Sequence, residues 1–316
     1  MADKKIIAVL GATGAQGGGL VRAILNDKSS EFSVRALVHN PNSEKAKALL
    51  EMGVEVVTVD VDNYESLRSG FSNAYGVYAV TFFWHHFSAE KEILQAESIA
   101  KAAKETNVKH IIWSTLEDTR KWIPLTDSRM PTLQEKYKVP HFDGKGSSDK
   151  FFTDLNLPVT FLYASFYWEN FIYFGLGPKR GPDGRLALTI PMGDKKLAGI
   201  ASDDIGKCAY AIFKKGNEFF GKKIGIASDH LTIQEMADLF AKTLGEEVVY
   251  NKVSFDMFRS FGFPGADEAG NMFQFYHDCD KDVNGLRDVG FTKLLNPELK
   301  NLEVWLKENK TKIPVG

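Results

Sequence analysis

The chain has 316 residues, 44% hydrophobic and 25% charged, a composition typical of a folded globular protein with one large domain or two lobes. Its formal net charge of -2 gives no electrostatic reason to expect a nucleic-acid partner. The two cysteines, Cys208 and Cys279, are too few for a disulfide framework and favour a reducing compartment. No apolar stretch approaches the roughly 20 residues of a membrane span, and residues 1–5 lead directly into the first apolar run. We therefore expect no leader and no membrane partner, and a cytoplasmic protein whose access to the nucleus is left open.

The first half of the chain alternates between apolar runs and amphipathic segments. The apolar runs predict strands at 6–10, 33–38, 54–59, 75–80, 110–113 and 159–162. The segments between them predict helices at 18–26, 43–52, 64–71, 88–106 and 142–155. This alternation predicts an α/β fold with a doubly wound, Rossmann-like parallel sheet and right-handed crossovers.

The pattern changes near residue 165. A Gly- and Pro-rich loop at 175–184 is followed by shorter predicted elements. They are strands at 186–190, 224–227 and 247–250, and helices at 203–214, 232–244, 267–276 and 297–308. We predict a dinucleotide-binding domain over residues 1–164 and a smaller C-terminal α/β lobe over 165–316 that closes the ligand cleft.

The first predicted strand runs into a glycine-rich turn of sequence Gly-Ala-Thr-Gly-Ala-Gln-Gly. Glycines allow a tight turn and bring backbone N–H groups close to a ligand, and the N-terminus of the following helix favours a phosphate. Strand, glycine turn and helix in this order predict a dinucleotide site, with an ordinary structural turn as the alternative. The predicted lining residues are Gly11, Thr13, Gly14, Ala15, Gln16 and Gly17.

The end of the second predicted strand bears on the choice of nucleotide. An NAD-specific fold places a carboxylate on the ribose 2′-hydroxyl there, and this chain has His39 and Asn40 instead. The absence of a carboxylate favours NADP(H), although NAD(H) also fits. His39 is a weaker phosphate partner than arginine, which carries a permanent charge and a two-pronged donor. Lys45 either assists or lies on a solvated helix face.

Other predicted site residues follow from the rule that ligands bind beyond the carboxyl ends of parallel strands. Asp60 and Asp62 follow the third strand and border the adenine, with the alternative that Asp62 or Asn63 caps the next helix. Thr81 follows the fourth strand. Phe166 and Tyr167 follow the sixth, where they either stack a flat ligand or pack between the lobes.

The segment 82–86, Phe-Phe-Trp-His-His, also follows the fourth predicted strand. Its aromatic residues cover the middle of the nucleotide or pack in the core, and the sequence favours neither alternative. The two histidines have no Cys, Asp or Glu at ligand spacing beside them, so we predict no metal site.

The spacing of the glycines resembles that of the short-chain dehydrogenases, but the catalytic residues of those enzymes are not all present in this sequence. Those enzymes place a serine near the end of the fifth strand and a Tyr-x-x-x-Lys pair on the next helix. Here Ser114 follows the fifth predicted strand, and His141 stands four residues before Lys145 in place of the tyrosine. An imidazole is shorter than a phenol and a poorer match for proton donation to a carbonyl. We predict that Lys145 contacts the nicotinamide ribose, with Ser114 and His141 as weak catalytic candidates.

Taken together, the chain resembles the NmrA-like family of atypical short-chain dehydrogenases. The resemblance rests on the glycine turn, His141-Phe142-Asp143-Gly144-Lys145-Gly146, Glu169-Asn170, Phe263-Pro264-Gly265-Ala266, Asn271-Met272-Phe273 and Phe275-Tyr276. It implies a fold that binds NADP(H) without a complete catalytic set.

The resemblance also implies a regulatory role. Association state, including a homodimer, and partner binding would follow the NADPH/NADP ratio in the cytoplasm and nucleus. For an animal member of the family it implies argininosuccinate synthase as a partner. That relative has arginine where this chain has His39, and this departure weakens the expected preference for the 2′-phosphate. The alternative function is an NADPH-dependent reductase of a quinone or other carbonyl, although the departure at His141 favours a protein that is not an enzyme.

Overall fold

Alternating strands and helices dominate the first half of the chain in the computed structural model, which describes residues 4–315; the expectation for residues 1–3 lies outside them. The strands are β1 (Lys5–Leu10), β2 (Phe32–Val38), β3 (Glu55–Thr58), β4 (Gly76–Ala79), β5 (His110–Thr115) and β6 (Val159–Tyr163). The helices are α1 (Ala15–Asn26), α2 (Glu44–Glu51), α3 (Tyr64–Phe71), α4 (Ala89–Glu105) and α5 (Pro140–Asp154). All of these elements were predicted from the hydrophobic pattern, with small differences at their ends.

The second half contains shorter elements, several of which the sequence did not reveal. The strands are β7 (Phe166–Tyr167), β8 (Lys179–Arg180), β9 (Leu186–Leu188), β10 (Leu197–Ile200), β11 (Lys223–Gly225), β12 (Asp229–Leu231) and β13 (Val248–Tyr250). The helices are α6 (Asn170–Tyr173), α7 (Ser202–Lys215), α8 (Ile233–Leu244), α9 (Phe255–Arg259), α10 (Ala266–Asp278), α11 (Asp280–Leu286), α12 (Val289–Leu295) and α13 (Leu302–Asn309). Across residues 4–315, no helix has the length and apolar character needed to span a bilayer.

One large sheet organises the first half. Within the described residues it has seven strands in the order β11-β6-β5-β4-β1-β2-β3. Its first six strands in the chain pair in parallel, and β1 lies between β2 and β4. The chain therefore winds outward from β1 to β3 and then returns past β1 to β4, which confirms the predicted doubly wound, Rossmann-like α/β fold.

Internal contacts divide the chain into two units that interleave along the sequence. The first comprises Met1–Asp118, His141–Tyr163 and Asp203–Ile224, and the second comprises Thr119–Pro140, Ala164–Ser202 and Gly225–Gly316. This division differs from the single boundary that we expected between residues 164 and 165. Helix α7 and most of β11, which the pattern placed in the smaller lobe, belong to the first unit.

The position of α7 depends on two glycines. A Cβ atom at Gly206 would lie 2.1 Å from the backbone carbon of Gly19, and one at Gly19 would lie 2.8 Å from the carbonyl oxygen of Asp203. Helices α1 and α7 are thus in backbone contact at positions where no side chain fits. Arg22 also pairs with Asp203, with Nε 2.9 Å from Oδ1.

The second unit holds the segment 119–140 through a buried amide. Asn271 of α10 is fully buried, and its Nδ2 donates to the carbonyl oxygens of Pro131 at 2.9 Å and Lys138 at 2.6 Å. Arg259 donates from Nε to Asn271 Oδ1 at 2.8 Å. These bonds assign 119–140 to the second unit although β5 and α5 on either side of it belong to the first. Two three-stranded sheets, β12-β10-β7 and β13-β9-β8, complete this unit within the part of the chain that is described.

Candidate functional site

The glycine turn joins the end of β1 to the start of α1 in the first unit. Gly11 has φ +65°, a left-handed conformation that favours glycine, and the Gly14 N–H donates to the Gly11 carbonyl at 2.8 Å. A Cβ at Gly17 would lie 2.4 Å from the same carbonyl oxygen. Gly11 and Gly17 are therefore required by the turn itself and by the close approach of helix to strand.

The N-terminus of α1 is suited to an anion. Gly14 caps the helix without a side-chain hydrogen bond, and the first turn contains no acidic residue. By contrast, side chains of Ser43, Asn63 and Ser88 cap α2, α3 and α4. Gly14 and Ala15 are exposed, so the positive end of the helix dipole faces solvent. The glycine turn, the helix dipole and the exposed helix start together suit the pyrophosphate of a dinucleotide.

Lys45 lies at this turn. Its Nζ is 3.3 Å from the carbonyl oxygen of Thr13, which places the ammonium beside the glycine residues rather than on a remote helix face. His39 and Asn40, at the end of β2, are both exposed. The exposed Lys45 ammonium therefore lies next to the turn, and its contact with a phosphate stays a prediction.

Asp60 and Asp62 occupy the loop after β3. Asp60 is exposed, and its Oδ1 accepts the Asp62 N–H at 2.9 Å. Asp62 accepts from Gln95 Nε2 at 2.8 Å and pairs with Lys91 at 2.7 Å, and these two hydrogen bonds lower the pKa of the Asp62 carboxyl. Asn63, one of the two capping residues that the sequence offered, caps α3. The Asp62 carboxylate instead binds Gln95 and Lys91 of α4.

Gln16 connects the glycine turn to the sheet. Its Oε1 accepts a hydrogen bond from Ser114 Oγ at 2.8 Å and another from the Tyr78 hydroxyl. Because side chains alternate along a strand, Trp113 and Thr115 point the other way, toward α5. The Ser114 hydroxyl, a weak catalytic candidate from the sequence, is 2% exposed and bonded to Gln16.

Lys145 is held inside the first unit. Its Nζ donates to the Thr81 carbonyl at 3.0 Å, Thr81 Oγ1 at 2.6 Å and Glu92 Oε1 at 2.8 Å. An ammonium has three donors, so these contacts use its full capacity. The structure brings together Thr81 and Lys145, two of the predicted nucleotide-site residues, and adds Glu92 of α4, which the sequence did not single out. A contact of Thr81 or Lys145 with a nucleotide stays a prediction. Glu92 falls within a helix of ordinary amphipathic character, and nothing in its local pattern marks it.

Close neighbours explain why Lys145 stands between two glycines in α5. A Cβ at Gly146 would lie 2.3 Å from the backbone nitrogen of Asp118, and one at Gly144 would lie 3.2 Å from Glu92 Oε2. Helix α5 therefore approaches the loop after β5 so closely that no side chain fits at Gly146, and it approaches α4 closely enough that a Cβ at Gly144 would be a tight contact.

His141 lies among aromatic rings at the start of α5. It is 6% exposed, and its ring centroid lies 5.6 Å from Phe83, 5.0 Å from Trp84 and 4.6 Å from Phe142. The aromatic residues after β4 thus pack against His141. This setting supports a packing role more than proton donation to a substrate.

Asp149 is a half-buried carboxylate that the sequence did not single out. Trp113 Nε1 and Thr115 Oγ1 donate to its Oδ1 at 3.0 and 2.6 Å, and the Tyr163 hydroxyl donates to Oδ2 at 3.1 Å. Burial raises the pKa of Asp149 to about 6, although these hydrogen bonds oppose the shift. Through these hydrogen bonds the Asp149 carboxylate connects α5 to β5 and β6.

Phe166 and Tyr167 form β7 of the second unit. Phe166 is buried, with its ring 5.4 Å from Phe171 and 6.1 Å from Phe273, which is core packing within that unit. Tyr167 is half-buried. A role for either residue in ligand binding stays a prediction. Within residues 4–315 no group of three or more His, Cys, Asp or Glu is placed to hold a metal ion.

Comparison with known proteins places the chain in a family. The model of the NmrA-like family matches residues 3–306. The NmrA-like family domain-containing oxidoreductase FrzB of Cladobotryum sp is 28% identical over 291 residues, which cover 85% of this chain and 83% of that protein.

Solved structures share the fold. The negative transcriptional regulator NmrA in complex with NADP superposes with a TM-score of 0.79 at 22% identity, covering 97% of this chain and 95% of that one. The NADPH-dependent quinone oxidoreductase of Escherichia coli complexed with NADPH superposes with a TM-score of 0.73 at 22% identity, covering 96% and 99%. The match of the family model over nearly the whole length shows that this chain belongs to the NmrA-like family.

Proposed function

We propose that this protein binds NADP(H) at the glycine turn and works as a redox-responsive regulator. Its association state or partner binding would follow the ratio of NADPH to NADP. Support for the nucleotide comes from the turn between β1 and α1, the uncapped start of α1 and the position of Lys45. NmrA, a regulator, and the quinone oxidoreductase, an enzyme, both have a nucleotide in their solved structures.

The preference for NADP(H) over NAD(H) rests on the end of β2. His39 and Asn40 stand there, so a 2′-phosphate meets no carboxylate on this strand. Lys45, 3.3 Å from the Thr13 carbonyl, supplies a positive charge on the same side of the turn. When bound, the nucleotide supplies a nicotinamide ring that stores two electrons as a hydride.

One observation favours regulation over catalysis. All three Lys145 donors are used by Thr81 and Glu92, and the Ser114 hydroxyl donates to Gln16. In a short-chain dehydrogenase the corresponding side chains serve the nucleotide and the substrate. Here they stabilise the protein itself, and His141 is packed among aromatic rings.

Sensing requires that the reduced and oxidised nucleotides differ in affinity for two states of the protein. The test is calorimetric titration with NADPH, NADP, NADH and NAD, combined with analytical ultracentrifugation of each mixture. We expect NADPH and NADP to bind more tightly than NADH and NAD, and the sedimentation profile to differ between NADPH and NADP. Identical profiles with NADPH, NADP and no nucleotide would remove the basis for sensing.

The second candidate is an NADPH-dependent reductase of a quinone or other carbonyl. It is favoured by the name of the Cladobotryum relative, an oxidoreductase, and by the structural likeness to the quinone oxidoreductase. Quinone reduction by direct hydride transfer needs less help from a protein acid, so the absence of a tyrosine at position 141 does not exclude it.

The reductase candidate is tested by NADPH oxidation above background with a panel of quinones and aldehydes. If His141 stands in the position of the proton donor, His141→Tyr should raise carbonyl reduction. A variant that folds normally and gives no increase would argue against that placement of His141.

A further inference from the structure

The end of α1 and the start of β2 border a groove in the first unit. It lies at the edge of the sheet opposite the glycine turn, where the parallel strands β1 and β2 begin. The apolar part of its wall is formed by Ile24, Leu25, Phe32, Val34 and Val54. The cavity volume is about 250 Å³, below the roughly 300–1,000 Å³ of pockets that enclose a small-molecule ligand. This feature, which we call the α1–β2 groove, therefore has room for a few apolar side chains and not for a whole cofactor.

Apolar surface is also exposed beside the groove, in the turn between α2 and β3. Gly53 and Val54 of this turn line the groove, and Leu50 and Met52 just before them are 52% and 63% exposed. A Cβ at Gly53 would meet no described atom within 4 Å, so this side of the groove is open to solvent. Exposed apolar side chains beside an open apolar groove are typical of a surface that binds another protein.

Two lysines line the groove without a carboxylate partner among residues 4–315. They are Lys4, which precedes β1, and Lys28, which follows α1, and both are exposed. Positive charge next to an apolar groove favours a ligand that combines apolar groups with carboxylates.

The nearby acidic residues do not pair with these lysines, since each of them already has partners. Asp27 Oδ1 accepts the Ser29 N–H at 2.9 Å, and its Oδ2 accepts from the Tyr210 hydroxyl at 2.7 Å. Glu31 pairs with Lys5 at 2.7 Å. The lining of the groove therefore carries net positive charge, which complements acidic residues on an incoming chain.

We propose that the α1–β2 groove is a docking site for a short segment of a partner protein. Apolar side chains of that segment enter the groove, and flanking carboxylates pair with Lys4 and Lys28. The proposal rests on the proposed regulatory function, because it names the kind of partner that such a regulator would bind. The glycine turn precedes α1 and His39 follows β2, at the far ends of both elements. A nucleotide and the partner therefore use different residues.

The first test selects short random peptides, displayed on phage, against the immobilised full chain. We expect the selected sequences to combine apolar residues with Asp or Glu, and the affinity of the strongest peptide is then measured by calorimetry. Failure to select any peptide, or selection of sequences that lack acidic residues, would overturn the proposal.

Surface variants then locate the selected peptide. Lys4→Glu and Lys28→Glu should each weaken it about tenfold, because each replaces an attraction with a repulsion, and Met52→Ser should weaken it about fivefold. The controls are Lys293→Glu and Leu294→Ser at exposed positions of α12, which should stay within about twofold of wild type. If the groove variants bind as tightly as the controls, the peptide binds elsewhere and the proposal is wrong.

A competition experiment separates the groove from the nucleotide site. Saturating NADPH should leave the peptide bound, whereas displacement by NADPH would place the peptide in the nucleotide site and contradict the proposal. Self-association of the wild type that is lost in Lys28→Glu would make a second copy of this chain the occupant, which also contradicts it. A protein that binds the peptide in the groove but has identical sedimentation profiles with NADPH, NADP and no nucleotide would refute the proposed function alone.

Discussion

A Cβ atom at Gly17 would lie 2.4 Å from the carbonyl oxygen of Gly11, a distance that side-chain carbons do not reach in folded proteins. Gly17→Ala would normally stabilise a helix, but here the methyl group forces α1 away from β1. We expect a loss of about 1–3 kcal/mol in the free energy of unfolding and weaker NADPH binding. Thermal denaturation and calorimetry measure the two effects.

The control for this change is Gly285→Ala in α11. A Cβ there meets nothing within 4 Å, and no positive φ is involved. We expect this variant to be neutral or slightly stabilised. Equal destabilisation of both variants would show that helix flexibility, not the contact with Gly11, explains the glycine at position 17.

Lys45 should contribute to the preference for NADP(H). Because its ammonium lies beside the Thr13 carbonyl at the turn, Lys45→Ala should weaken NADPH binding about tenfold and leave NADH binding nearly unchanged. Lys47→Ala is the matched control on the same helix, where the side chain pairs with the exposed Glu44. If the two variants lose affinity equally for both nucleotides, only the general charge of α2 matters.

Ser114 is expected to be structural. Ser114→Ala removes one of the hydrogen bonds that Gln16 Oε1 accepts, which should cost about 1 kcal/mol of stability. Any NADPH oxidation that the wild type shows should change by less than about threefold, whereas loss of a general acid typically costs about 100-fold or more. Steady-state assays with the most active substrate of the panel decide between these results.

Asp149 should make stability depend on pH. Its pKa is raised by burial to about 6, above the ordinary 3.8, so its protonated form is favoured in the fold. Its contribution is complete below about pH 4 and is lost as the pH rises through 6. Asp149→Asn removes this dependence, so its stability relative to wild type should increase between pH 4 and pH 7, by up to about 3 kcal/mol.

Denaturant unfolding at several pH values measures this difference. The exposed Asp183 is a control of opposite sign, because hydrogen bonds from Arg185 lower its pKa. Asp183→Asn should lose stability relative to wild type as the pH rises above that lowered value. Parallel pH profiles of Asp149→Asn and the wild type would mean that Asp149 is ionised in the fold without cost.

Asn271 should be essential to the second unit. Asn271→Ala leaves the carbonyls of Pro131 and Lys138 without their amide donor and removes the acceptor for Arg259; the bond to Lys138 is buried and the other two are partly buried. We expect a loss of about 2–4 kcal/mol in the free energy of unfolding. Asn251→Ala, whose exposed side chain bonds Thr189, should lose less than about 0.5 kcal/mol. Similar losses would contradict the role of Asn271 in holding 119–140.

The sequence by itself determined the elements of the first half, the doubly wound sheet and the place of the glycine turn. Hydrophobic periodicity and glycine spacing are local properties that can be recognised within a few residues. The same reasoning assigned α7 to the C-terminal lobe, whereas the internal contacts group α7 with the first unit. It also overlooked Glu92 and Asp149, each of which sits in a helix of unremarkable pattern.

Tertiary structure alone decided which side chains the candidate site residues contact. The hydrogen bond between Lys145 and Glu92 forms because the helices α4 and α5 meet at Gly144, more than 50 residues from Glu92 along the chain. Whether Ser114 faces a substrate or Gln16 depends on the pairing of β5 in the sheet. A buried charge takes the partner that the fold places beside it, and a single sequence carries no local signal of that choice.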